Sequence, residues 1–508
     1  LELLAVDGDP RAAVAAVFEG SFAVLDAPTR RFLCALGLLP GADFAEELAA
    51  AVGDVDQRRA RLLLDRLVGG HLVERHRPGR YRFHDLMRLY VRRRLETALD
   101  APTREAIVER IVDWFAAEWR PDEFDNLIAT CRRLSDHPRL WQMVARMKRF
   151  INVGHELGMV RQLGQTAMRV AEAGDDAAGV IKMHDLLAVA KSQAGAYGEG
   201  IEHARTAVKL AHEIGDGDAS GVLRGNLGLG LYQLGEIAEA ETLLREALRI
   251  AEQTGNVRHL RNRSLTLGAV CRASGKFAEA EQHLLRACEL SRAIGEADSG
   301  YMDAYSLAKV YVDMGRYAEA EQLANTVLVD ARSHSSERYE ALALARLGEL
   351  RRRAGNTAEA RSLLEQAIEL SHRSRPIVEW DARGELAELF ADVGDCERGI
   401  RLLEECADDV ADLRGPRASM DLNLARLRLL SGDFPAAVAA AENAREHFAT
   451  GPEPLRLARA LQLLAEAHAG LGEAEQAREL AQRALEMFVA LDVPEVDEAS
   501  RFLESVRP

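Results

Sequence analysis

The sequence predicts a mainly α fold: a solenoid of helical hairpins in a right-handed superhelix, behind a small N-terminal domain of helices and a β-hairpin. Three observations predict it. Glycines at 195, 235, 275, 315, 355, 394, 432 and 472 each open a near-copy of one pattern about forty residues after the last. Apolar residues recur at helical spacing on both sides of each glycine. The pattern is absent before about residue 105, where strand-forming and turn residues enter instead.

The repeat is plainest in Gly235-Glu-Ile-Ala-Glu-Ala240, Gly275-Lys-Phe-Ala-Glu-Ala280, Gly315-Arg-Tyr-Ala-Glu-Ala320 and Gly355-Asn-Thr-Ala-Glu-Ala360. Leu223, Leu227, Leu231 and Leu234 precede one glycine, and Ala240, Leu244, Ala247 and Leu248 follow it, so each unit is a helical hairpin. The glycine suits the left-handed residue that closes the first helix, where a β-carbon would be strained. Gly228, Gly268, Ala308 and Gly348 in the first helix face Ala240, Ala280, Ala320 and Ala360 in the second, and small side chains let the two backbones approach.

These residues resemble the tetratricopeptide repeat, whose skeleton stands here as Leu227-Gly228…Leu231…Ala240…Leu244 and Leu267-Gly268…Cys271…Ala280…Leu284. That repeat is about 34 residues long; the 40-residue spacing here implies longer helices, like the long variant of signal-transduction regulators. The last copies drift, with Cys396, Gly399 and Pro435 breaking the pattern, as expected of terminal capping repeats. A further, more divergent hairpin is expected from Trp141 to Glu172 around Gly158. The solenoid is thus placed over residues 141–508, with eight to nine hairpins.

A solenoid needs no single large core, so 508 residues pose no difficulty. No apolar run approaches the roughly 18 residues of a membrane helix, and the first ten residues carry neither a basic start nor a cleavage signal, so a cytoplasmic protein with no membrane partner is expected. The six cysteines form no C-x-x-C pair and sit mostly at apolar helical positions, as reduced core residues do. No histidine falls in an H-E-x-x-H arrangement, so no metal site is expected. Residues 1–150 hold 24 Lys+Arg against 23 Asp+Glu, so the net charge of -16 resides in the repeats, a poor surface for general nucleic-acid binding.

In the first hundred residues, helices are expected over Leu25–Leu38, Ala45–Val52 and Arg58–Leu67, then strands over Leu72–Arg75 and Tyr81–Phe83 joined by Pro78-Gly79. Three helices and a hairpin make a winged helix, continued by a helix from about Asp85 to Leu99. Phe32-Leu-Cys-Ala-Leu-Gly-Leu-Leu-Pro40, Leu64-Asp-Arg-Leu67…His71-Leu-Val-Glu74 and Tyr81-Arg-Phe-His-Asp-Leu-Met-Arg-Leu-Tyr90 resemble the winged-helix module of NB-ARC regulatory ATPases, the STAND class. They look closest to actinobacterial members built like the Streptomyces antibiotic regulatory proteins, and Trp114-Phe…Asp125-Asn-Leu-Ile-Ala129 is similar to that family's connector to the repeats. The resemblance gives residues 1–22 as the end of a preceding helical domain, 23–100 as the winged helix and 101–140 as the connector.

Phe83-His84-Asp85 matches the family's M-H-D motif with Phe for Met. The resemblance makes His84 the sensor of the ADP β-phosphate, with Asp85 fixing its geometry; imidazole can donate to phosphate oxygen. The other reading of His84 is a residue packed at a strand-to-helix junction. The chain has no G-x-x-x-x-G-K-[ST] phosphate loop: Gly275-Lys276 opens a repeat turn, and Gly225-Asn-Leu-Gly-Leu-Gly230 lies within a repeat helix. By the resemblance, this is a C-terminal region that holds no cofactor and does no catalysis itself, while ADP or ATP and a slow ATPase core belong upstream.

Two surfaces could meet partners. Twelve arginines against three acids between residues 58 and 94 leave Arg58, Arg59, Arg61, Arg77 and Arg80 for DNA, for the protein's own nucleotide-binding domain, or for solvent. In the resembling family this module packs on the nucleotide domain, and DNA is met through an upstream effector domain. In the solenoid, groove-lining positions fall at Asn226, Arg272, Lys309, Arg346, Arg352 and Arg353, then Glu385 and Glu388. Guanidinium forks and an amide there suit a protein or peptide ligand with an acidic portion, and a solvated helix surface is the alternative. The expected function is the sensor and autoinhibitory region of a signal-responsive, NTPase-type bacterial transcriptional regulator. A repeat scaffold for protein–protein interaction, with no nucleotide switch, is the other reading.

Overall fold

The computed structural model describes residues 18–117, 120–149, 157–295, 297–371, 376–407, 414–451 and 453–506. The family-based expectation for residues 1–22 falls mostly outside them. The chain divides into two compact units, through Leu210 and from Ala211 onward.

In the first unit the helices are α1 (Ala27–Leu36), α2 (Glu46–Gly53) and α3 (Gln57–Gly69). Asp26 caps α1 by accepting from the Thr29 amide at 2.8 Å, and Asp56 caps α3 by accepting from that of Arg59 at 2.7 Å. The expected hairpin is β2 (Glu74–Arg77) and β3 (Arg80–Arg82), turned at Gly79 with φ +73°. One strand went unread in the sequence: β1 (Asp43–Ala45) pairs antiparallel with the other edge of β3, Phe44 opposite Tyr81, giving the order β1-β3-β2. Three residues leave too short a run for alternation to register. Helix α4 (Asp85–Ala98) follows, then α5 (Ala101–Ala117), α6 (Phe124–Arg133) and α7 (Leu140–Arg146).

One apolar core runs through this unit from Phe22 to Ala190, including Phe44, Leu64, Met87, Val112 and Met143. It draws in α8 (Leu157–Ala173) and α9 (Ala177–Gln193), so the first repeat helices are stabilised by the N-terminal elements as well as by each other. Gly158 lies inside α8 and marks no turn.

In the second unit, first helices of hairpins alternate with second ones. The first helices are α11 (Gly217–Leu234), α13 (Val257–Ala273), α15 (Ala297–Asp313), α17 (Glu337–Arg353), α19 (Pro376–Asp392), α21 (Arg414–Leu430) and α23 (Pro454–Gly470). The second helices are α12 (Ile237–Thr254), α14 (Phe277–Ile294), α16 (Tyr317–Ser333), α18 (Thr357–Ser371), α20 (Cys396–Glu404), α22 (Phe434–Thr450) and α24 (Ala474–Leu491), with α25 (Val496–Ser505) closing the array. Helix α10 (Tyr197–Glu213) spans the division between the units.

The turns repeat every twenty residues, twice as often as the sequence pattern suggests. Gly255 and Gly295 stand between Gly235, Gly275 and Gly315, and Ser335 stands between Gly315 and Gly355, all with positive φ, so these turns from one hairpin to the next also use a left-handed residue. A cap follows at once after Gly255 and after Gly215, whose φ is also positive: Asn256 accepts from the His259 amide and Asp216 from that of Ala219. Within hairpins the small residues meet as expected, since a β-carbon on Gly268 would stand 2.6 Å from Leu284 Cγ.

The superhelix of this unit returns on itself. A β-carbon at Gly275 would lie 2.9 Å from Pro454 Cγ and 2.5 Å from Leu491 Cδ2, one at Gly315 would lie 2.7 Å from Pro494 Cγ, and the Gly235 carbonyl faces Gly451. The early turns therefore pack on the edge of the last hairpins. Gly355 has φ +78° and open space around it, whereas Gly275 has both positive φ and this contact. Gly355→Ala should cost about 1 kcal/mol from backbone strain alone. Gly275→Ala should cost about 1 to 3 kcal/mol more by overpacking. Urea unfolding of the full chain measures both, and equal costs would mean that the return contact carries no stability.

Candidate functional site

Two places carry the residues singled out from the sequence, one in each unit. In the first, Phe83 is buried and packs 5.9 Å from the Phe44 ring, which fixes the chain just before α4. His84 then occupies the N-cap position of α4 with its side chain 76% exposed, and its Nε2 is 3.7 Å from Glu74 Oε2. Asp85 is exposed in the first turn, and Leu86 and Leu89 are exposed one turn along. The packed-junction reading of His84 therefore fails, because Phe83 does the packing and the imidazole points to solvent.

The arginine face divides. Arg58, Arg59, Arg61 and Arg77 are exposed, with Arg61 2.9 Å from Glu46. Arg61, Arg75 and Arg77 line a groove of about 440 Å³ with Glu46, His76 and Tyr81. Arg80 does not belong to this face. Its side chain is only 11% exposed and is held by Asp43 at 2.6 Å, Glu123 at 2.9 Å and Asp122 at 3.0 Å. Glu123, 1% exposed, also accepts from the Ala45 amide, and Asn126 donates to the Asp43 carbonyl. Arg80 thus ties the sheet to the turn before α6. Hydrogen bonding to Arg80 lowers the Asp43 carboxyl from its usual value, while burial raises that of Glu123.

In the second unit the expected groove positions lie on first helices from α11 to α19, and their basic groups are answered by acidic ones. Arg272 meets Asp313 at 2.7 Å, and Lys309 meets Asp381 at 2.7 Å, with the Tyr305 hydroxyl donating to the same carboxylate at 2.9 Å. Arg346 pairs with Glu349, which also takes Arg353 at 3.2 Å. Arg352 reaches Glu385 at 3.1 Å and Asp392 at 2.9 Å, and Arg426 holds Glu388 and Asp392 from the next hairpin. Arg459 of α23 bonds Glu495 and approaches Asp313 to 4.0 Å. Asn226 Oδ1 lies 3.4 Å from Arg263 Nη2.

The expected basic groove is therefore a lumen of alternating charge. Most of the pairing is hard to read from sequence because the partner stands a hairpin or more away, as for Arg272 with Asp313 and Lys309 with Asp381; of these acids only Glu349 meets its arginines within one helix. The one sign was the run Glu385, Glu388 and Asp392 on one face of α19. Burial opposes the charge on Asp381, but Lys309 and Arg346 with the Tyr305 hydroxyl outweigh it and hold the carboxyl well below its usual range.

Arg80→Ala leaves Glu123 and Asp43 without their cation, and should destabilise the protein by about 3 kcal/mol. Arg58→Ala should stay within about 0.5 kcal/mol, and chemical denaturation of the two variants separates anchor from face. For Asp381 the folded value is depressed, so its stabilisation is complete above the unfolded value near pH 4 and is lost as pH falls below it. Asp381→Asn should be less stable than the parent at neutral pH, with a shallower loss between about pH 4 and 2. Denaturation midpoints across that range give the comparison.

The MalT-like TPR region family matches residues 183–487. Over 109 residues the chain is 41% identical to the regulatory protein AfsR of Streptomyces coelicolor, and over 105 residues 40% identical to AfsR of Streptomyces griseus. These matches take in 21% and 20% of this chain and 11% of either regulator's length. A solved STAND protein with a tetratricopeptide repeat sensor, from Pyrococcus horikoshii, superposes with a TM-score of 0.54 at 15% identity, over 91% of this chain and 67% of that one. That likeness is one of fold. With three fifths of its length matched, this chain belongs to the family of MalT-like TPR regions.

Proposed function

We propose that this chain is the sensor and autoinhibitory region of a signal-responsive, NTPase-type transcriptional regulator of bacteria. In this reading the repeats receive an inducer or a protein partner in the charged lumen. The winged helix rests on a nucleotide-binding domain of the same protein and reports whether ADP is bound, and DNA is met through a separate effector domain. The partial identity to a Streptomyces regulator and the repeat family support the regulatory context.

The observation that carries the nucleotide part is the presentation of His84. Buried Phe83 anchors the chain, and the imidazole projects into solvent at the first turn of α4, beside the positive end of the helix dipole. A ring N–H there can donate to a phosphate oxygen, and the helix terminus favours the same anion. Asp85 stays in the first turn, where a carboxylate is also favoured and keeps the helix start in place. No described helix is long and apolar enough to cross a membrane.

A plain interaction scaffold is the second reading, favoured by one observation: the charges of the repeats pair with one another across hairpins, an arrangement a protein segment can engage by itself. Nucleotide release from the longer gene product separates the two. Loss of one charge-assisted hydrogen bond costs about 1.5 to 3 kcal/mol, so His84→Ala should speed the release of ADP by roughly tenfold or more. Unchanged release in a folded variant would leave the scaffold.

A further inference from the structure

Hairpin α13–α14 departs from its neighbours at two positions that touch. Where the preceding hairpin has Leu231 and Leu243, this one has Cys271 and His283; the two hairpins after it carry Tyr311 with Leu323, and Arg351 with Leu363. At the corresponding places further up the chain His203 stands with Lys191, not with a thiol. A thiol and an imidazole thus replace two residues together, and they do so beside Glu279, which belongs to the Ala-Glu-Ala run of the repeat.

The fold brings all three to one point. Cys271 Sγ, a Glu279 carboxylate oxygen and a His283 ring nitrogen lie within 4.8 Å of one another, and His283 Nε2 is 3.5 Å from Glu279 Oε1. Cys271 is fully buried at the end of α13, while the side chains of His283 and Glu279 are 17% and 33% exposed one turn apart on α14, so an ion has a way in. Arg245 of α12 holds Glu279 Oε1, the same oxygen that faces His283 Nε2, at 2.7 Å and also bonds Glu241, so the carboxylate is held in place beside the imidazole.

We propose that Cys271, Glu279 and His283 form a binding site for one borderline divalent cation of the zinc class, tying the two helices of a single hairpin together. Sulfur, nitrogen and oxygen donors in threes, with a fourth position left for water, suit Zn²⁺ better than the hard cations Mg²⁺ or Ca²⁺, which take oxygen ligands. Cys271 gives up its proton to solvent as the metal–sulfur bond forms, and His283 donates the lone pair of its neutral ring. This revises the expectation of no metal site. Linear motifs could not show it, since one ligand comes from the first helix of the hairpin and two from the second.

The test uses the full chain stripped by a chelator and titrated with Co²⁺, then Zn²⁺. One equivalent of Co²⁺ should bind with a thiolate-to-cobalt charge-transfer band, and Zn²⁺ should abolish that band by displacement. The band should vanish in Cys271→Ser and persist in Cys288→Ser, whose cysteine lies farther along α14. His283→Leu installs the residue that positions 243, 323 and 363 already carry, so it should fold, and its Co²⁺ affinity should drop by roughly tenfold or more. Absence of the band in the parent protein, its survival in Cys271→Ser, or unchanged affinity in folded His283→Leu would overturn the site.

Discussion

The solenoid depends on one backbone constraint, a left-handed residue about every twenty positions from Asp175 to Gly355. Each such residue ends a helix of seventeen or eighteen residues and turns the chain back, and the fixed length puts the next small residue opposite its partner. Because helix length is fixed by the turns, the stagger between hairpins is fixed too, and with it the curvature that brings Gly275 and Gly315 against Pro454, Leu491 and Pro494. Local φ values thus decide a contact nearly two hundred residues away in sequence.

The same regular spacing organises the chemistry. Several residues of each first helix share one face, so a basic residue in one hairpin meets an acidic residue of the next, as in the pairs Arg272 with Asp313 and Arg352 with Asp392. Partners supplied by separate hairpins keep their geometry only while the stack holds its curvature. A ligand that takes one member of a pair frees the other, and any change of curvature is felt at several pairs at once. In the proposed reading this is how the repeats would report occupancy, which an isolated surface ion pair lacks the means to do.

Much of this was legible in the residues, and the limits follow from what a linear pattern can hold. Gly235 and its forty-residue relatives gave the hairpins, because left-handed turns demand glycine and helices demand apolar periodicity. Gly255, Gly295 and Ser335 were missed, since the last of these tolerates the same φ without being glycine and masked the shorter period. Strand β1 was too short to alternate. Arg80 read as a surface cation because its acids, Asp43, Asp122 and Glu123, are scattered across eighty residues of sequence. His84 stands out in the sequence through a three-residue resemblance alone, and the burial of Phe83 beside it decides which side chain faces out.

The proposed role rests on a nucleotide held by a longer polypeptide. The most direct measurement is the intact mass of the native gene product together with the identity of any nucleotide it releases on denaturation. A product well above 55.8 kDa that releases ADP is the predicted result. A product of 55.8 kDa that releases none would contradict the switch and leave a repeat scaffold.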